Sequence, residues 1–307
     1  MNPLLHLGIW RLADPKISIT SAASMTIGAA VAALEMPLNW FWLLVTGLAF
    51  FCMEVAKNAW GDIYDYDSGT DLAVEPKDRT NFSGGKRVLV DNLMSRNQTW
   101  AVAALFAGLG LTLGALIVVL QEPSAFWIGI VGLALGWSYH GPPLQLVYRG
   151  WGELAVLLIY GPVIALSTYL IQRHQFSLDV LLLSLPLGIF ISAFLWVNEF
   201  PDHDADLGAN KRNLVVILGR RRASRLLPLI YVTGFSLLYF LPHLTEINQA
   251  VWWGFVALPT ASLASYWTWR QPESFYRHTP AQPLALLTFV LYSVGICSAL
   301  NLMDQFR

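Results

Sequence analysis

Two acidic stretches carry the residues best suited to chemistry. One reads Asn58-Ala59-Trp60-Gly61-Asp62-Ile63-Tyr64-Asp65, and the other Asn198-Glu199-Phe200-Pro201-Asp202-His203-Asp204-Ala205-Asp206-Leu207-Gly208-Ala209-Asn210. Positions three and four apart share one face of a helix, so Asn58, Asp62 and Asp65 form one stripe and Asp202, Asp206 and Asn210 a second. Carboxylates stacked at this spacing repel one another, and desolvation beside a membrane adds to the cost unless a cation lies between them. Oxygen ligands without paired His or Cys favour Mg²⁺ over zinc or copper, and Mg²⁺ completes its shell with water and substrate phosphate. The two clusters therefore read as opposite walls of a diphosphate-binding cavity. Asn58, Asp62, Asp65, Asp202 and Asp206 are the candidate metal-facing residues. His203, between the two Asp of the second stripe, is expected to point elsewhere.

Cations accompany both stretches. The run Arg79-Thr80-Asn81-Phe82-Ser83-Gly84-Gly85-Lys86-Arg87 joins two glycines, whose backbone N–H groups can approach a phosphate closely, to residues that neutralise it. Basic residues beside a membrane equally meet anionic lipid headgroups. Lys211 and Arg212 follow within one turn of Asn210, where Lys211 would reach the outer oxygens of a diphosphate held by Asp202 and Asp206. Arg220, Arg221 and Arg222 read as a topology anchor. Glu54, one turn before Asn58 in an apolar segment, is costly there and so a functional candidate, either orienting an acceptor hydroxyl or supporting the acidic stripe.

Such a site must be positioned by elements that live in lipid. Of the 307 residues, 55% are hydrophobic and only 13% charged, about half the charge of a usual soluble domain. That composition excludes disordered, coiled-coil and disulfide-scaffold classes. Cys52 and Cys297 sit in apolar runs as small hydrophobes. A net charge of -1 gives no case for a nucleic-acid partner. A spanning helix needs about 20 apolar residues, and nine segments qualify: 17–36, 38–57, 99–120, 124–140, 152–171, 178–199, 225–242, 250–269 and 283–303. The segment before the first span carries Arg11, Asp14 and Pro15 and lacks the apolar core of a cleavable signal peptide.

Nine spans place the amino terminus and the loops after spans 2, 4, 6 and 8 on one side. All of the 19 Lys and Arg except Arg173 and Arg307 then fall on that side, which the positive-inside rule makes cytoplasmic. The two long loops, about 58–98 and 200–224, lie there too, and with them the chemistry. The expectation is an all-α integral membrane protein: one domain over 1–307, a nine-helix bundle whose central cavity opens at the cytoplasmic face. The bacterial inner membrane is the default location.

The chain resembles the UbiA superfamily of intramembrane prenyltransferases, over essentially its whole length. The resemblance rests on an acidic motif after the second helix, a DxxxD motif after the sixth, and the stretch NEFPDHDADLGANKRNLVVILGR from Asn198 to Arg220, similar to 1,4-dihydroxy-2-naphthoate prenyltransferase-like members. The first motif departs from the commonest NDxxDxxxD pattern. In one register it keeps Asn58 and Asp62, with Ala59 and Tyr66 at the other positions. In a DxxDxxxGxD register it keeps Asp62, Asp65, Gly69 and Asp71, with Gly61 in place of the usual Asn. Asp62 is common to both. The turn Trp137-Ser138-Tyr139-His140-Gly141-Pro142-Pro143 and the stretch Arg149-Gly150-Trp151-Gly152-Glu153 resemble the family's YSxPP and RGxGE segments.

The resemblance implies Mg²⁺-dependent ionisation of an isoprenyl diphosphate and capture of the allylic cation by an aromatic acceptor such as 1,4-dihydroxy-2-naphthoate. It makes Asp62, Asp202, Asp206 and Tyr139 the candidate catalytic residues alongside Glu54, and Arg79, Lys86 and Arg149 the diphosphate contacts alongside Lys211; Glu54 and Lys211 are already singled out by their positions. Tyr139 could face the cation with its ring, and Arg149 could hold a phosphate or an acidic acceptor. Two alternatives stay open. An intramembrane terpene cyclase would use the same metal site without an acceptor. An ion-coupled transporter would need its carboxylates near mid-membrane.

Overall fold

The computed structural model describes residues 3–244 and 249–305, and helices are its only regular elements. In chain order these are α1 (Pro3–Ala13), α2 (Pro15–Ala33), α3 (Trp40–Asp67), α4 (Thr70–Ala73), α5 (Arg96–Leu120), α6 (Ala125–His140) and α7 (Gly152–Leu158). They continue with α8 (Ile164–Arg173), α9 (Leu178–Gly208), α10 (Leu214–Leu218), α11 (Arg220–Leu244), α12 (Leu258–Arg270), α13 (Phe275–His278) and α14 (Ala281–Gln305). Starts follow capping chemistry. Asn39, Ser177 and Asn213 each accept an N–H from the first turn of α3, α9 and α10, and Ser95 and Gln98 form a reciprocal capping box on α5.

Among the described residues seven helical segments are long and apolar enough to cross a membrane. The nine-span expectation is reduced in two places. The fourth span is the 16-residue α6, about 24 Å long against a hydrocarbon core of about 30 Å, cut short between Pro123 and Pro142. The eighth divides into a 3₁₀ segment, Gln249–Ala257, and the 13-residue α12; Pro259 in the first turn of α12 blocks a continuous α-helix. Conversely α3 and α9 run past the expected span ends at 57 and 199, so both acidic motifs are helical extensions of their spans.

α9 is the hub, packing against α7, α11, α14 and α2. It crosses the α7–α8 segment where Gly161 meets Gly188; a Cβ on Gly161 would lie 2.9 Å from the Gly188 Cα. A π-turn over Ile159–Val163, containing Pro162, joins α7 to α8 there. α5 packs mainly along α3, and α6 is held more loosely beside them. The bundle is therefore dense around α9 and open on the α3–α5–α6 side.

Candidate active site

The extensions of α3 and α9 face one another across a cavity of about 780 Å³. From α3 it takes Asn58, Asp62 and Asp65; from α9, Leu195, Asn198, Glu199, Asp202 and Asp206. The α9 residues recur at three- and four-residue steps and so form a single face. The segment 79–94 roofs the space through main-chain donors. Val88 and Leu89 donate N–H bonds of 3.2 and 3.1 Å to the two carboxylate oxygens of Asp62, and Gly84 N–H donates at 3.1 Å to Oδ2 of Asp202. Gly85, at φ 74°, lies so close to Asp71 that a Cβ would overlap its carboxylate. The two glycines thus let the backbone touch both acidic walls.

Lys211 spans the walls. Its Nζ lies 3.1 Å from Asp65 and 3.7 Å from Asp206, and Tyr148 donates to Asp65 at 3.1 Å. Burial opposes charge on Lys211, but Asp206 and Asp65 outweigh it and hold the ammonium well above the usual lysine range. Lys86 is half-buried and ion-paired with Asp14; its partial burial pulls its pKa down against that partner. Asp71 is 3% exposed, and burial together with the carboxylates of Asp65, Asp62 and Asp202 raises its pKa well above the usual range.

A cation fits this donor set. Oδ2 of Asp71 and Oδ1 of Asp202 are buried without a hydrogen-bond partner, and Oδ1 of Asp206 has only the Lys211 ammonium at 3.7 Å, a costly state unless a further positive group meets them. Among the described residues no three His, Cys, Asp or Glu side chains close into a ready-made cage. Ligands standing on two walls leave coordination positions for water and phosphate oxygens, which suits Mg²⁺.

Several expected residues have other occupations. Arg149 is exposed and lies outside the cavity, donating at 3.2 Å to the Pro143 carbonyl. Asn210 leaves its stripe because α9 ends at Gly208 and Asn210 turns to φ 58°, where it binds Arg212. Arg79 lines the cavity while its guanidinium donates to the Val74 carbonyl. Asn58 reaches the Leu12 carbonyl at 2.8 Å. Both Glu54 oxygens accept bonds, from Ser18 and Ser21. His203 pairs with Asp204, as expected of a residue aimed away.

Among the cavity residues that the sequence alone did not single out are Lys57, His140, Glu199 and Asn213. Glu199 was within reach, since continuing the Asp206–Asp202 stripe one step deeper lands on it. His140 carried no local signal. It comes to 3.6 Å from Asp65 only through the packing of α6, in space left by Gly61.

Beneath the polar cavity an apolar groove of about 560 Å³ runs between α3, α5, α6 and the α7–α8 segment. Lys57 and Tyr139 line both spaces. Lys57 Nζ sits 5.2 Å above the Tyr139 ring, so Tyr139 stands at the junction of an ionic chamber and a greasy one.

Comparison with known proteins places this geometry. The model of the UbiA prenyltransferase family matches residues 22–294. The 1,4-dihydroxy-2-naphthoate octaprenyltransferase of Bacillus subtilis (strain 168) is 25% identical over 232 residues, covering 74% of this chain and 71% of the relative. The 2-carboxy-1,4-naphthoquinone phytyltransferase of Synechocystis sp. is 28% identical over 252 residues, covering 80% and 76%. The fold is shared with an apo UbiA homologue from Aeropyrum pernix K1 (TM-score 0.70, 17% identity, 91% of this chain and 96% of that one). It is shared also with a UbiA homologue from Archaeoglobus fulgidus bound to GPP and Mg²⁺ (TM-score 0.61, 14% identity, 97% and 99%). A match running through nearly every helix that builds the two chambers makes this chain a member of the UbiA prenyltransferase family, and a prenyltransferase.

Proposed function

We propose that the protein transfers the prenyl group of an isoprenyl diphosphate to an aromatic acceptor of the dihydroxynaphthoate or related quinone-precursor class, in a Mg²⁺-dependent reaction within the bilayer. The observation that carries this reading is the continuity of the two chambers: an acidic and basic cavity fit for a metal-bound diphosphate opens at Tyr139 into an apolar groove fit for its tail. Relatives named for naphthoate and naphthoquinone acceptors, and a neighbour bound to GPP and Mg²⁺, support it.

A divalent cation bound by the two walls supplies charge neutralisation for the departing diphosphate. The chain does the rest. Asp202, Asp206, Asp65 and Asp71 provide the anionic walls, with Asp62 fixing the roof segment between them. Lys211, Lys86 and Arg79 supply positive charge beside the diphosphate oxygens as the allylic C–O bond breaks and its electron pair leaves with diphosphate. Tyr139 presents a ring, without a reactive carboxylate, at the point where the allylic carbon passes from one chamber to the other. The groove keeps water from the cation until an acceptor carbon captures it. Lys and Arg flank the cavity, so its mouth faces the cytoplasm and the amino terminus lies on the same side.

The test is Mg²⁺-dependent diphosphate release from farnesyl, geranylgeranyl and longer diphosphates by the purified protein, with and without an acceptor panel. The expected result is release that requires acceptor, with a product at the summed mass less diphosphate. Acceptor-independent release yielding a hydrocarbon or terpene alcohol would replace transfer with cyclisation.

A further inference from the structure

Below Asp202 the α9 face carries one more acid that the metal walls do not use. Glu199 is 6% exposed, lines the cavity, and neither of its carboxylate oxygens finds a donor in the protein other than Glu153. Behind it on α7 stands Glu153, 3% exposed, whose Oε1 accepts the Leu214 N–H at 2.6 Å and whose Oε2 likewise has no other partner. The two carboxyls interact with each other, and Asp206, Lys211 and Tyr139 act on Glu199 electrostatically. The pair shares one hydrogen bond, which leaves a buried Glu199 oxygen in the cavity wall without a donor, a costly state until a ligand supplies one.

The surroundings restrict what that donor is. The diphosphate is an anion and is repelled by the pair. The prenyl tail is apolar and has its own groove on the far side of Tyr139, lined by α3, α5 and α6. Glu199 precedes Asp202 by three residues on one helical face, hence about 4.5 Å deeper and, in the transferase reading, level with an allylic carbon leaving the diphosphate toward Tyr139. A group that is uncharged, donates a hydrogen bond and sits within a ring's width of that carbon is a hydroxyl of the aromatic acceptor.

We propose that Glu199, braced by Glu153, is the acceptor-hydroxyl subsite: it binds one hydroxyl of the acceptor and so turns a particular ring carbon toward the allylic cation. Glu199 is thereby a specificity-determining contact and Glu153 a positioning residue that holds it. This rests on the transferase reading above and names its acceptor contact.

The experiment is a substrate-by-variant cycle with 1,4-dihydroxy-2-naphthoate and its two monomethyl ethers, using wild type and Glu199→Gln. The wild type is expected to prefer the parent compound over one of the two ethers by about 5- to 150-fold in kcat/KM, the cost of leaving one buried hydrogen-bond partner unsatisfied. Glu199→Gln, whose amide oxygen still accepts but in a changed geometry and hydrogen-bond pair, should lose part of that factor on the parent and add almost nothing to the loss on that ether, while the KM for the prenyl diphosphate stays within about twofold. The cycle cancels the ether's lower intrinsic reactivity, because that is common to both enzymes. Additive losses, an unchanged acceptor kcat/KM, or a loss confined to the diphosphate KM would overturn the assignment. So would the disappearance of one bound Mg²⁺ equivalent in Glu199→Gln by equilibrium dialysis, which would make the pair a cation site. If Glu199→Gln does not purify folded, Glu153→Gln carries the same cycle, since its amide oxygen still accepts the Leu214 N–H. A wild type that releases diphosphate equally with and without acceptor would sink the transferase reading itself, whatever Glu199 does.

Discussion

Helices α5 and α9 are equally greasy and differently used. Their most apolar stretches have mean hydropathies of 2.5 and 2.4, yet 22% of the α5 stretch is buried against 78% of the α9 stretch. In water that difference would be read from composition; in lipid the solvent is as apolar as the core, so hydropathy finds the span and says nothing about what covers it. Glycine makes the same point. Gly188 of α9 is small because another backbone touches it, whereas Gly114 of α5 and Gly129 and Gly136 of α6 have no atom within 4 Å of where a Cβ would sit. One set of glycines lets helices meet, and the other keeps a groove empty. The dense half holds the α9 carboxylates still, and the open half leaves the room that the proposed prenyl tail needs.

Variants can separate the halves, beginning with the largest effect. Asp202→Asn and Asp206→Asn should each lower Mg²⁺-dependent diphosphate release by about 10²- to 10³-fold, typical for removing one preorganised electrostatic contact, with helicity unchanged by circular dichroism; turnover within tenfold of wild type would sink the metal-wall proposal. Gly188→Ala drives a Cβ into the Leu157 carbonyl, and overpacking at such a crossing should cost about 1–3 kcal/mol, read as a lower Tm in detergent. Gly136→Leu should leave Tm within the scatter of surface changes and instead shift substrate choice, reducing kcat/KM for long prenyl diphosphates by about tenfold relative to farnesyl diphosphate, the range for a few methylenes in an apolar pocket. Equal Tm losses at Gly188 and Gly136 would erase the contrast between the halves.

Smaller effects follow from charge. Burial and neighbouring carboxylates raise the pKa of Asp71, so its folded-state value lies above its unfolded one. The apo protein then loses stability as pH rises through that folded value, and Mg²⁺, which competes with the proton, restores it. Mg²⁺ affinity measured by titration calorimetry should weaken as pH falls, with proton uptake by buffer on binding, and Asp71→Asn should flatten that dependence. Smallest of all, Arg149→Ala should leave kcat/KM within about twofold, the scale of an exposed substitution; a large loss would return Arg149 to the site.

Sequence spacing anticipates which acidic residues line the cavity. The helical stripes break at Asn210, where Gly208 ends α9, and at Asn58, whose amide turns to the Leu12 carbonyl. Arg149 sits in a basic, family-like stretch, but whether a side chain turns into a cavity is decided by tertiary packing, and here it closes its own turn. The same holds for Glu54, whose carboxylate is taken by serines from α2 thirty-odd residues away. Two of the nine expected spans are shorter as helices where proline intervenes, beside α6 and in α12, because windowed hydropathy registers apolarity without asking whether the backbone can remain helical.

The roof over the cavity has a consequence for biosynthesis. Gly84 finds its acceptor on Asp202, 118 residues later in the chain. At about 5–20 residues per second, roughly 6–24 s pass between synthesis of the donor and of its partner. Through that interval α3 and its acidic extension are already in place while the roof has one edge untied. The catalytic mouth is therefore finished by the sixth apolar segment rather than the second, and a ribosome stalled before α9 would display an anchored chain without a site.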